Sequence, residues 1–191
     1  MGKRTAEAGY QNAKIIVDGE YVSGVGGGVW QVSTTLYNAA LKAGLEAIEV
    51  HAHSLQVGYV APSRDAMVST GYDLKLYNPY AQAVYLCAKC FQGSIKNSFY
   101  GKNAGDRYEL FSNILAKIPP PAPIVKDGEE EMILREERAG IKSEMFLEQY
   151  RGERLLSRRR LRTEEYRPIQ GIVVKKVVDT TNKMRSNDCV F

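Results

Sequence analysis

The sequence predicts an α+β fold: one main helix packed on a mostly antiparallel sheet, followed by a small all-β domain. Three observations lead there. An Asp18-Gly19 turn separates two short apolar stretches, a glycine cluster opens one helical pattern, and a series of strand-like runs follows it. Composition agrees with a folded chain. Of 191 residues, 44% are hydrophobic and 25% charged, which excludes wholesale disorder, collagen-like repetition and a disulfide-stapled mini-protein.

Residues 14–17 and 20–22 flank Asp18-Gly19, a strong hairpin signal. Gly24-Val25-Gly26-Gly27-Gly28 then leads into a helical pattern over residues 29–43. Gln31, Thr35, Asn38 and Lys42 make its polar stripe, and Val32, Leu36, Ala39, Ala40 and Ala43 are expected to face the sheet. Gly44 suits a helix terminator. Ile48, Val50 and Ala52 alternate with Glu49, His51 and His53 at the period of a strand. Further strand-like runs cover residues 58–60, 67–69, 72–76 and 83–91.

Residues 118–128 read IPPPAPIVKDG. Three consecutive prolines and a fourth at Pro123 favour an extended spacer and withhold the backbone donors a sheet needs. The expected division is a larger domain at 1–118, a linker at 119–128, a small β domain at 129–178 and a polar tail at 179–191. In the small domain, residues 144–150 and 154–161 flank Arg151-Gly152-Glu153, a short hairpin connection.

Charge and ends narrow the classes further. No apolar run approaches the ~20 residues needed to span a bilayer. The start, Met1-Gly2-Lys3-Arg4-Thr5-Ala6, has no apolar core for a signal peptide and puts Ala6 where a myristoylation motif wants Ser or Thr. Lys plus Arg is 26 against 22 Asp plus Glu, and the resulting +4 is too small to imply nucleic acid. Three cysteines exclude a full disulfide framework.

The glycine cluster is the most informative segment for chemistry. Glycines let a backbone approach a ligand, and a helix start presents unpaired N–H groups and positive potential. A cysteine there would be favoured as its thiolate; this chain carries Trp30, which has no nucleophilic or titratable group. On spacing alone the plainer reading is a tight strand-to-helix turn with Trp30 as a core anchor.

His51 and His53, the chain's two histidines, share the expected strand face with Glu49. A carboxylate could orient an imidazole there for acid–base work, or the face could simply be exposed. No further ligands complete a metal site, and no cofactor is implied. Cys87-Ala88-Lys89-Cys90 spells a CxxC, but strand period sends the two thiols to opposite faces. Cys90 is expected in the core beside Leu86 and Ala88. Arg151, Arg154, Arg158, Arg159, Arg160 and Arg162 form a basic run. Sparse aromatics and Glu153, Glu164 and Glu165 argue against nucleic acid, leaving a solvated hairpin face or a surface for an anionic cell-wall polymer.

Together these motifs resemble a known family. The run from Gly24-Val25-Gly26-Gly27-Gly28-Val29-Trp30-Gln31 through Val32-Ser33-Thr34-Thr35-Leu36-Tyr37-Asn38-Ala39-Ala40 closely resembles the signature of the VanW family. So do His53-Ser54-Leu55 with Tyr59-Val60, Arg64-Asp65-Ala66 and Asp73-Leu74-Lys75, in the family's order and spacing over residues 5–91. The stretch punctuated by Gly140, Gly152 and Gly171, with Glu165-Tyr166-Arg167-Pro168, resembles the G-five module that often follows VanW domains.

The resemblance implies a bacterial, extracytoplasmic cell-envelope protein with peptidoglycan or another cell-wall polymer as partner; the family is named from vancomycin-resistance gene clusters. Some members are peptidoglycan L,D-transpeptidases with a cysteine nucleophile in the segment that here reads GGGVWQ. That position is Trp30, and an indole cannot form the thioester the mechanism needs. Cys87, Cys90 and Cys189 lie in other motifs.

By resemblance, His53 is the residual general base or hydrogen-bonding group. Gly26, Gly27, Gly28, Trp30, Gln31, Ser33, Thr34 and Arg64 would form the substrate cleft. The implied function is a pseudoenzyme binding stem peptides. An active cysteine-type L,D-transpeptidase and a purely structural envelope module are the alternatives. Related chains carry an anchor or export signal before this region, so an opening at residues 5–17 suggests a truncated reading frame.

Overall fold

The computed structural model describes residues 2–17, 20–102 and 105–176. The Asp18-Gly19 turn, Cys189 and the tail expected at 179–191 lie outside them. Strand β1 (Asn12–Val17) pairs antiparallel with β2 (Glu20–Val25), Asn12 opposite Val25. The chain turns at Gly26, φ +81°, and enters helix α1 (Val29–Lys42). Gly44, φ +76°, ends the helix in the left-handed conformation: its N–H bonds Leu41 O and the Leu45 N–H bonds Ala40 O, each at 3.0 Å. This double bond pattern satisfies carbonyls that a helix end otherwise leaves open.

After α1, β3 (Glu46–Glu49) pairs with β4 (Lys75–Tyr77), and the loop between them carries isolated bridges His51–Met67 and Ser69–Tyr72. A hairpin of β5 (Tyr85–Phe91) and β6 (Ser94–Tyr100) follows, then β7 (Asp106–Ile118), β8 (Ile124–Gly128) and β9 (Met132–Arg135). The last strands are β10 (Gly140–Arg151), β11 (Arg154–Tyr166) and β12 (Ile172–Lys176). One three-stranded sheet has the order β11-β10-β7 and another β8-β12-β9, where β12 runs parallel to β8 and antiparallel to β9. Ile118 lies opposite Gly140, so strand pairing crosses the proline-rich stretch.

The expected α+β arrangement is therefore corrected. Among the described residues, one helix of 14 residues stands against twelve strands in five small sheets, and the molecule is mostly β. Alternation in a sequence reports an extended backbone, not which strands pair. Residues 58–60 form a bend, and residues 67–69 contribute only single bridges, so no continuous sheet assembles behind the helix.

The buried face of α1 is also different from the expected one. Trp30, Ser33, Thr34, Tyr37, Ala40 and Leu41 are buried, while Val32 is 42% exposed. Counting apolar positions misses this face because two of its members are hydroxyls that bond the backbone of residue 66. Tyr37 and Leu41 pack with Ala66 and with Met145 and Leu147 of β10, and Tyr108, Leu110 and Leu161 border that cluster. Helix and distant strands thus share one core. Cys90 is exposed, not core, because Leu86 on the same hairpin is itself half exposed.

Candidate functional site

The glycine turn is held close to β1. A Cβ on Gly27 would lie 2.4 Å from the Lys14 carbonyl oxygen, so only glycine allows that approach. Gly28 caps α1 without any side-chain hydrogen bond, and the first turn holds no acidic residue. The N–H groups of Val29, Trp30 and Gln31 bond back to the carbonyls of Gly26, Gly27 and Gly28 at 3.1–3.4 Å. The turn therefore closes on itself, and the open N–H row expected at the helix start is partly used.

Behind the turn lies a buried polar network. His53, 3% exposed, packs edge-on against Trp30, with ring centroids 4.9 Å apart. The Trp30 indole N–H donates to Val68 O at 2.9 Å. His53 gives two hydrogen bonds to one oxygen of Asp65: its backbone N–H and its Nδ1 each lie 2.7 Å from Oδ2. The other oxygen, Oδ1, accepts the Tyr166 hydroxyl and faces Arg162 Nη2 at 3.6 Å.

Burial pushes the Asp65 carboxyl up, but the hydrogen bonds from His53 and Tyr166 and the Arg162 charge outweigh it and hold the carboxyl below its ordinary range. An ionised Asp65 only accepts, so Nδ1 carries the proton of this hydrogen bond and Nε2 is the ring's other nitrogen. That Nε2 is buried without a hydrogen-bond partner.

In front of the turn a cavity of ≈ 640 Å³ opens, lined among others by Lys14, Tyr21, Trp30, Gln31, Tyr59 and Arg138. Its walls come from β1, β2, the start of α1, the loop at 57–59 and the segment after β9. Among the described residues, three aromatic rings and two cations line it, and none of the lining residues is acidic. The Tyr21 hydroxyl is engaged with Gln56 O at 2.9 Å. Burial raises the Tyr59 hydroxyl to about 12, so it stays a proton donor at neutral pH.

The expected site residues divide between these two places. Gly27, Gly28, Trp30 and Gln31 line the cavity. Gly26 makes the turn, and Ser33 and Thr34 bond the backbone of Ala66. His53 lies beneath Trp30. Arg64 donates from Nε to Asn38 Oδ1 at 2.9 Å, while Asn38 Nδ2 donates to Arg64 O at 2.7 Å. Asp65, Arg162 and Tyr166 were not expected in the site, although Asp65 and Tyr166 stand in the quoted motifs and Arg162 ends the basic run. His51 has separate partners, Glu49 at 3.2 Å and the ring of Tyr72. The hydrogen bond from Lys75 first, then those from His51 and the Asp73 backbone, lower Glu49 to about 2.

With this geometry in place, the class of the molecule follows from comparison. The model of VanW like proteins matches residues 1–100, more than half of the chain, and the chain belongs to the VanW family. Among named relatives, it is 41% identical over 129 residues to the uncharacterized protein YoaR of Bacillus subtilis (strain 168). That match takes in 66% of this chain but only 41% of the relative's length. Two solved G5 domains are also similar. The G5 domain of an IgA1 protease shares 17% identity at a TM-score of 0.25, covering 40% of this chain and 98% of its own. A second shares 13% at a TM-score of 0.21, covering 37% and 93%. No helix of the described residues is long and apolar enough to cross a membrane.

Proposed function

We propose that this chain is an extracytoplasmic cell-envelope protein that holds peptidoglycan stem peptides in the cavity beside Trp30 without cutting or joining them. The observation that carries the reading is the contact between Trp30 and the His53–Asp65 pair. A carboxylate-oriented imidazole beside a thiol or hydroxyl is a general base for a nucleophile. Beside an indole it has nothing to activate. The cavity chemistry suits the ligand: Lys14 and Arg138 match the carboxylates of a stem peptide, and the aromatic rings match its apolar parts. Exposed Arg154, Arg159 and Arg160 on the β10–β11 hairpin offer an anionic wall polymer a second contact.

The test compares the unaltered chain with Trp30→Cys on tetrapeptide-bearing muropeptides, read by mass spectrometry. The expected result is binding by both forms, with covalent or crosslinked product only from the variant. Crosslinked product from the unaltered chain would identify an active transpeptidase and overturn the reading. No binding by either form would leave a structural module in its place.

A further inference from the structure

We propose that Tyr166 and Arg162, both on β11, are positioning residues for His53, so that the strands beyond the proline-rich stretch form part of the site. Neither touches the cavity; both act through Asp65. The carboxylate is divided between two tasks, Oδ2 taking both N–H groups of His53 and Oδ1 taking the Tyr166 hydroxyl and the Arg162 charge. Without donors on Oδ1 the carboxylate could turn, and the imbalance would pass directly to the imidazole. Tyr166 is itself fixed, since the Ser63 N–H donates to its hydroxyl at 2.7 Å.

Arg162 reaches this place through a break in strand register. Met145 pairs with Arg162 but Phe146 pairs with Arg160, so Leu161 is an extra residue in β11. Residues opposite one another share a sheet face, and the bulge turns Arg162 to the face of fully buried Met145 while Arg160 stays outside. The Arg162 side chain is 9% exposed against 62% for Arg160. Its guanidinium stands 5.9 Å over the ring of Tyr37, and Nε lies 3.0 Å from Glu164 Oε1 without hydrogen-bond alignment, a contact of charge alone. A buried cation needs such compensation, and Asp65 supplies the anion at the centre.

Two further contacts hold β10 and β11 against the same loop. Ser63 Oγ and Ser143 Oγ lie 2.7 Å apart, and the Arg167 N–H donates to Ser54 O at 2.9 Å. Ser54 and Ser63 bracket the loop between His53 and Asp65.

With two histidines in the chain, selective labelling makes the His53 ring N–H resonance readable in the ligand-free protein. The signal expected is a low-field, exchange-protected proton on Nδ1. Tyr166→Phe and Arg162→Met should displace or abolish it, while Arg162→Lys, which keeps the charge, stays closer to the native position. Tyr150→Phe is the control, because Tyr150 also donates to an acid, Glu148, on the same strand but away from Asp65. An unmoved signal in folded Tyr166→Phe and Arg162→Met would overturn the proposal, as would an equal displacement in the control. Should Tyr166→Phe not fold, the Met and Lys variants of Arg162 decide on the same signal. The readout needs no muropeptide, so it stands or falls separately from the proposed ligand.

Discussion

Asp65 gathers four donors or charges around one carboxylate that is 1% exposed, and its ionised state depends on all of them. Because its folded-state pKa lies below the ordinary 3.8, the carboxylate form favours the folded state. That stability is complete above the unfolded value and is lost as pH falls through the folded one, so acid unfolding below pH 3.8 should be shallower in Asp65→Asn. Asp65→Ala leaves His53, Tyr166 and Arg162 without their acceptor and should cost about 3 kcal/mol at neutral pH in urea titrations, since removing one member of a buried pair strands the other. A cost under about 1 kcal/mol would show that the network is not what holds this loop. The sequence placed His53 and Asp65 in recognisable motifs, but eleven residues of irregular loop separate the two. No periodicity connects them, which is why the partner stayed illegible.

The glycine turn and the two long hairpins were legible because their signals are local. The apolar runs on either side of residues 18–19 pair as β1 and β2, and Gly44 after the helix and Gly152 between β10 and β11 each answer to backbone geometry within a few residues. The buried side of α1 and the inward turn of Arg162 were not, because each depends on a distant surface. The first needs the backbone at Ala66; the second needs a bulge that resets alternation within a basic run. The turn itself gives a paired test. Gly27→Ala must push the Lys14 carbonyl away and should destabilise by about 1–3 kcal/mol while narrowing the cavity. Gly28→Ala meets nothing within 4 Å and should stay within about 0.5 kcal/mol of the native chain. Equal costs in urea titrations would mean that the approach to β1 is not what selects glycine there.

At the scale of the whole molecule, the helix core and the Asp65 network both join residues from either side of the proline-rich stretch. Such sharing predicts one cooperative transition: the emission of Trp30 and the far-UV circular dichroism of the sheets should give the same urea midpoint. Separate midpoints would show that the later strands fold as an independent unit. The same tryptophan also makes the central claim measurable. Trp30 is the chain's single Trp, it lines the cavity, and it packs against His53. Titrating tetrapeptide-bearing muropeptides into the unaltered protein should change its emission saturably, with the added muropeptide recovered unchanged. Charge reversal at Lys14 and Arg138 should weaken that response. Emission that stays constant to millimolar muropeptide, or muropeptide recovered crosslinked, would contradict binding without chemistry at this cavity.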